Sequence, residues 1–326
     1  MLQVSSSPHI RDSVTTRRLM LDVVIALIPA VLVSIWIFGW RALAIVLLTT
    51  GTAVLFEYLS RRVMKRYNSI GDMSAVVTGL LLAMNLPPTV PLWIPVVGSF
   101  IAIVIVKQIF GGIGQNFMNP ALASRVILML SYPAAMTRWA ILAARARGAT
   151  AIVTDAAGNL DLIATATPLY VMQNQGQMPS YLEMFVGIKG GCIGEVSVLA
   201  LLIGAAYLIA RKVINLWIPL TYIGTVALFT AIAGQDPLYH VLSAGLIIGA
   251  FFMATDYTTA PVTRKGQFIF ALGCGIITAL IRLFGSTTEG VSFAILLMNI
   301  MVPHIERWTR PVPFGGRKGG RSYVKG

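Results

Sequence analysis

Residues Leu19–Phe38 read LMLDVVIALIPAVLVSIWIF, with Asp22 as the single charged position. An α-helix rises 1.5 Å per residue, so a run of this length covers the ~30 Å hydrocarbon core of a bilayer. The run is solidly apolar rather than alternating, which indicates a spanning helix and not a barrel strand. Arg17 and Arg18 precede it, yet it is longer than a signal h-region and no small-x-small cleavage site follows. It is expected to be a retained first span.

Working outward, nine further apolar segments follow, at 42–60, 73–86, 92–110, 119–131, 192–210, 215–233, 238–254, 266–284 and 289–303. The third and fifth of the ten are short for full spans. Composition agrees: of 326 residues, 56% are hydrophobic and 11% charged, against about 25% charged in soluble domains. The expected fold is an all-α integral membrane protein with about ten transmembrane helices. Its parts are a segment 1–18, a membrane half 19–131, a long polar loop 132–191, a second membrane half 192–303 and a basic, Gly-rich, flexible tail 304–326.

The net charge of +13 does not indicate nucleic acid, because the basic residues collect in short loops and tails. With the N-terminus cytoplasmic, that side receives 19 of the 25 Lys and Arg residues, Lys107 and Arg125 among them. The other side receives Arg41, Arg138, Arg145, Arg147, Lys189 and Arg282. Both termini are therefore expected inside and the loop 132–191 outside.

The halves resemble each other. Ser74–Asn85 and Ser243–Asp256 are similar apolar stretches leading to a turn and a further span, and Lys107–Gly112 is echoed by Arg282–Gly285. Five spans per half is an odd number, so the two repeats are expected to be inverted, with some helices short or broken.

Candidate ligand residues crowd Gly111-Gly112-Ile113-Gly114-Gln115-Asn116-Phe117-Met118-Asn119-Pro120-Ala121-Leu122. Glycines Gly111, Gly112 and Gly114 break the helix and let backbone approach a ligand. Asn119 can cap a new helix that Pro120 begins. The amides of Asn116 and Asn119 suit the polar edge of a flavin or quinone; the competing reading is an ordinary loop with capping asparagines. Asp22, Glu57, Asp72, Lys107, Arg125, Glu195, Asp256, Arg282 and Glu289 lie in or near spans, where ionisable groups face an interior, a cavity or a partner. Asp256 is the candidate for an ion path. Cys192 and Cys274 sit in apolar runs as core residues, and His9, His240 and His304 are too scattered for a metal site.

In the loop, 136–148 is expected to form an amphipathic helix on the outer surface. Asp155–Asn159 is turn-like. Thr167 precedes Pro168, which biases it to an extended conformation. A hydroxyl among small residues is accessible to a modifying enzyme, though these residues do not say which modification.

Several stretches together resemble the NqrB/RnfD family of ion-translocating oxidoreductase subunits: Asp72–Ala83 (DMSAVVTGLLLA), Leu86-Pro87-Pro88, Gly111–Leu122 and Phe251–Asp256 (FFMATD). The resemblance covers nearly the whole chain. It implies FMN joined through its phosphate to a threonine in a pattern like Asp-x-x-(Ser/Thr)-Gly-Ala-Thr. Asp161, Ala166 and Thr167 match, whereas Ala164 and Thr165 depart from it. Thr167 is thus the implied acceptor, with Thr165 as a rival. A non-covalent riboflavin within the membrane is also implied, with Asn116 and Asn119 matching its positions and Gly111 and Gly112 beside them. Further implications are a flavin transferase during maturation, other subunits of an Rnf-type complex in a bacterial inner membrane, and Na⁺ or H⁺ as coupling ion. Ferredoxin and NAD would bind those other subunits, because this chain has neither a Cys cluster for iron–sulfur nor a dinucleotide fingerprint; it holds no complete active site. Inverted repeats and broken helices also suit a small-solute transporter or channel, which is the alternative.

Overall fold

The computed structural model describes residues 15–142, 151–153, 162–165, 169, 180–187, 189–195, 197–243, 245–285 and 289–311. The first half holds α1 (Thr16–Phe38), α2 (Trp40–Val63), α3 (Ser74–Met84), α4 (Trp93–Phe100) and α5 (Pro120–Ser131). α4 runs straight on into a π-helical stretch, Ile101–Gln108. A short α6 (Pro133–Met136) follows. Then come β1 (Trp139–Leu142), β2 (Ala151–Val153), β3 (Leu162–Thr165) and α7 (Tyr181–Val186). The second half holds α8 (Val198–Ala210), α9 (Trp217–Ile232), α10 (Pro237–Leu242), α11 (Leu246–Ile248), α12 (Arg264–Phe284) and α13 (Val291–Thr309). α11 likewise widens into a π-helical stretch, Gly249–Met253.

The helices α1, α2 and α12 are long and apolar enough to cross a membrane, and several others are shorter apolar helices. Large apolar side chains such as Leu32, Trp36, Leu47, Ile203, Leu220 and Leu228 stay exposed on the outside of the bundle. Water solvates such a surface poorly and lipid covers it.

Side-chain ties align the helix ends into two faces. On the first, Tyr207 and Arg211 at the end of α8 reach Asp22 near the start of α1, Arg66 beyond α2 donates to the Gln108 carbonyl, and Thr263 before α12 meets Thr309 at the end of α13. On the opposite face, Arg41 at the start of α2 donates to the carbonyls of Pro88, Thr89 and Val90, and Thr89 donates to the Arg138 carbonyl.

The third segment of each half begins from a left-handed residue, Met73 (φ 64°) before α3 and Gly245 (φ 67°) before α11. A basic side chain reaches each start. Lys107 Nζ donates to Ser74 Oγ at 2.6 Å, and Arg282 Nη2 donates to the Ser243 carbonyl at 3.1 Å. The two segments come together at their far ends, where Asn85 Nδ2 lies 3.7 Å from Met253 Sδ. Between the halves, α1 packs on α8 and α5 on α13.

Several expectations are corrected. The membrane body is helical, but the long loop adds a three-stranded antiparallel sheet of order β1-β3-β2. β1 occupies part of the expected amphipathic helix at 136–148: Trp139, Ile141 and Leu142 pair with Thr165, Ile163 and Leu162 of β3. Pairing with β3 satisfies the backbone N–H and C=O groups of this stretch in place of helical bonds. The segment 192–210 is helical only from Val198. Before it, the buried backbone of Ile193 and Gly194 donates to the carbonyls of Leu86 and Met84 at 3.0 and 2.7 Å, so irregular chain is tolerated there because protein satisfies it. The segment 238–254 is broken between α10 and α11. The last helix passes through Pro303 to Thr309, so the tail begins later than 304. Arg125, assigned to a cytoplasmic end from the charge count, lies buried inside the bundle at 4% exposure.

Candidate functional site

The π-helical turn after α4 aims Lys107 inward. Its Nζ bonds Glu57 Oε2 on α2 at 2.7 Å, and both side chains are buried. Glu57 also accepts from Ser69 Oγ. Asp72 Oδ1 accepts the backbone N–H and the hydroxyl of Ser74, fixing the start of α3. Lys107, Glu57 and Ser74 thus form one satisfied polar group on three elements.

Three left-handed glycines, Gly111 (φ 125°), Gly112 (φ 102°) and Gly114 (φ 83°), then turn the chain back into the bundle. L-residues with a Cβ rarely adopt these angles. Gly112 lies beneath the Arg61 guanidinium, which a Cβ there would strike. Asn119 opens α5 by capping: its Oδ1 accepts from Ala121 N at 3.1 Å and Leu122 N at 3.3 Å. Asn119's own N–H donates to Asn299 Oδ1 of α13 at 3.2 Å, and Asn299 Nδ2 donates to the Thr259 carbonyl at 3.0 Å. Asn299 therefore joins the start of α5 to the loop after the second π-helical stretch. In that loop Asp256 accepts from Thr258 N, Thr258 Oγ1 and Thr259 Oγ1.

These residues line a narrow cleft with an enclosed volume of about 80 Å³ that opens outward. Its polar lining includes Ser74, Lys107, Asn116, Asn119 and Asp256; its apolar walls include Val77, Leu81, Phe251 and Phe252. A mostly apolar cleft with a few convergent polar groups is the usual form of a small-molecule site. Asn116 is 6% exposed. Its Nδ2 reaches the Met118 carbonyl and Thr258 Oγ1 at 3.3 and 3.4 Å, while its Oδ1 is buried without a partner. Leaving a buried amide oxygen unpaired costs roughly 1–3 kcal/mol, which a ligand N–H would recover.

Of the residues singled out from sequence, Asn116, Asn119 and Asp256 come together on this cleft. Gly111 and Gly112 do not line it; they make the turn that delivers the asparagines. Thr167 lies outside the described residues, as do Asp161, Ala166 and Pro168. Thr165 ends β3, its backbone paired opposite Trp139. Sequence reasoning missed Asn299 and treated Lys107 only as one of many ionisable residues. The available signal for Asn299 was an amide in the middle of an apolar run.

Fold and cleft together define a multi-helix membrane protein with a narrow, mostly apolar cleft among short and widened helices. The chain belongs to the NQR2, RnfD, RnfE family, whose sequence profile matches residues 3–315. Its relatives include the subunit lettered D of the Na⁺-translocating ferredoxin:NAD⁺ oxidoreductase complex of Acetobacterium woodii. The two are 49% identical over 321 residues, covering 97% of this chain and 96% of that one. The correspondingly lettered subunit of the proton-translocating ferredoxin:NAD⁺ oxidoreductase complex of Clostridium ljungdahlii is 44% identical, with the same coverage. That of the ion-translocating oxidoreductase complex of Escherichia coli K12 is 36% identical, covering 97% of this chain and 99% of that one.

Proposed function

We propose that this chain is the membrane electron-relay subunit of an ion-translocating ferredoxin:NAD⁺ oxidoreductase complex, with a riboflavin in the cleft and FMN bound covalently at Thr167. The observation that carries the cleft assignment is the buried, partnerless Asn116 Oδ1 on an otherwise apolar wall. A bound isoalloxazine supplies the electron-carrying chemistry. The chain's own residues bind and orient it. Asn116 Oδ1 would accept from the flavin and the Asn119 side-chain N–H would donate to it, the Asn119 oxygen being taken by the helix cap. Lys107, held by Glu57, contributes positive charge beside the cleft. Phe251, Phe252, Val77 and Leu81 form walls that exclude water. No side chain need act as acid, base or nucleophile.

The rest of the reading follows the same lines. Matching left-handed starts at Met73 and Gly245, matching cations at Lys107 and Arg282, and the packing of α1 on α8 and α5 on α13 support two inverted five-helix repeats and about ten spans. The face holding Arg61, Arg62, Lys65, Arg66, Arg211, Lys212, Arg264 and Lys265 is the cytoplasmic one by the positive-inside rule, which puts both termini inside and the loop with Thr167 outside. An outer FMN and the cleft lie toward opposite faces, so a relay across ~30 Å of hydrocarbon uses further carriers on partner subunits. The relatives' names specify Na⁺ in one case and protons in another, so the coupling ion is Na⁺ or H⁺.

Mass spectrometry after co-expression with a flavin transferase tests the covalent part. An FMN-sized adduct is expected on the peptide containing Thr167 and absent in Thr167→Val. Persistence in Thr167→Val but not in Thr165→Val moves the acceptor to Thr165. Complete absence from the wild-type chain contradicts the covalent assignment and favours the transporter alternative.

A further inference from the structure

Where α9 and α12 begin, the bundle carries a surface groove of about 460 Å³, lined by Trp217, Arg264, Lys265, Phe268 and Ile269. All five residues are exposed. The two helices pack along a seam in which the Tyr222 and Thr278 hydroxyls meet at 2.7 Å, and the groove is the open valley beside that seam. α12 is long and apolar enough to cross a membrane. Its first residues therefore lie at the level where lipid headgroups meet hydrocarbon.

The polar end of the groove is wholly positive. α12 opens with Arg264 and Lys265 and has no acidic residue in its first turn. Neither cation forms an ion pair among the described residues. Glu306 of α13 accepts the Val262 N–H at 3.3 Å instead. The start of an α-helix is the positive end of its dipole, so both cations are placed against that field and beside each other. An anion between them reverses both costs.

The other end is apolar. From Trp217 an exposed stripe continues along α9 through Leu220, Gly224 and Leu228, at the three- and four-residue spacing of one helix face. A Cβ at Gly224 would meet nothing within 4 Å. The stripe runs roughly 16 Å into the hydrocarbon at 1.5 Å per residue. We infer that the groove binds an anionic phospholipid, its phosphate between Arg264 and Lys265 and one acyl chain over Trp217, Phe268 and Ile269. A soluble anion gains nothing from the aromatic floor, and a zwitterionic lipid brings an ammonium of its own to the two cations. Only the assignment to the cytoplasmic leaflet rests on the orientation proposed above; the binding does not.

Fluorescence quenching of the full chain in lipid nanodiscs tests it. Lipids brominated on the acyl chain quench tryptophan on contact, and the Trp217 signal is the difference between wild type and Trp217→Phe. Brominated phosphatidylglycerol and brominated phosphatidylcholine are each titrated into plain phosphatidylcholine. Phosphatidylglycerol is expected to half-quench Trp217 at a mole fraction lower by on the order of fivefold or more. Arg264→Gln combined with Lys265→Gln should abolish that preference and keep the quenching by phosphatidylcholine, which shows that the groove is still formed. Lys212→Gln, a loss of charge outside the groove, should keep the preference. Should the double variant misfold, the wild type decides by its response to salt, which is expected to narrow the preference. Equal quenching by the two lipids, a preference that survives in the folded double variant or is indifferent to salt, or no quenching by either lipid because protein covers the groove, overturns the inference. Flavin content of the same samples is a separate readout, so failure here leaves the flavin reading standing.

Discussion

The backbone N–H of Asn119 donates to Asn299 Oδ1 at 3.2 Å, joining the start of α5 to the middle of α13 across the two halves of the chain. Asn299 is 1% exposed and spends its other amide group on the Thr259 carbonyl. One side chain therefore sets the spacing between Asn119 and the Asp256 loop, on either side of the cleft.

Asn299→Leu keeps the volume and leaves both of those backbone groups unpaired. Each orphaned group costs roughly 1–3 kcal/mol. Thermal unfolding of the purified chain is expected at lower temperature, with non-covalent flavin content falling in the fraction that remains folded. Unchanged values on both counts would show that the bridge is dispensable.

The Lys107–Glu57 pair is buried on both sides. Removing one partner strands a buried charge and costs about 3–5 kcal/mol, whereas removing both is much milder. Glu57→Leu and Lys107→Met are each expected to lower the yield of folded protein sharply, and the double variant to recover much of it. Additive losses in a double-mutant cycle would mean the two side chains act independently.

Gly245 has φ +67°, and a Cβ there would come within 2.6 Å of Glu195 Oε1. Strain of this kind costs of order 1–3 kcal/mol. Gly245→Ala should destabilise accordingly, while Gly71→Ala, where a Cβ meets nothing within 4 Å, should be close to neutral. Equal effects at the two positions would contradict the close approach of Glu195 to the start of α11.

On the loop face, the Tyr181 hydroxyl donates to the Asp236 carboxylate, and Asp236 also caps α10 through Leu238 N and Tyr239 N. The Tyr181 bond, then these backbone donors, hold the Asp236 carboxyl below the usual carboxylate range. Its contribution is therefore present above the unfolded value of about 3.9 and is lost as pH falls through the lower folded value. Hydrogen-exchange protection of 180–187 is expected to fall at acid pH, and Tyr181→Phe should move that loss to higher pH. An unshifted midpoint in Tyr181→Phe would show that the hydroxyl does not latch this segment.

The membrane body was legible because apolar runs report spans directly, and Asn116 and Asn119 stood out as amides among glycines. Other features depend on distant contacts that leave no local pattern. Asn299 looks like one polar residue in a greasy helix until Asn119 is placed beside it. Arg125 reads as a charge near a segment end, yet its partners Asn85, Cys192, Glu195 and Glu289 come from other, distant stretches. The helical periodicity expected at 136–148 gave way to β1 because pairing with β3, some twenty residues on, satisfies its backbone. The basic, Gly-rich composition after 303 placed the start of the tail there, whereas the last helix continues to Thr309.

The most direct measurement is the non-covalent flavin extracted per mole of chain from Asn116→Leu. Asn119 is left intact because it caps α5, so its loss would confound binding with folding. Asn116→Leu is predicted to unfold near the wild-type temperature, to keep any covalent FMN and to lose most of the extractable riboflavin. Wild-type riboflavin content in Asn116→Leu would contradict the assignment of the cleft.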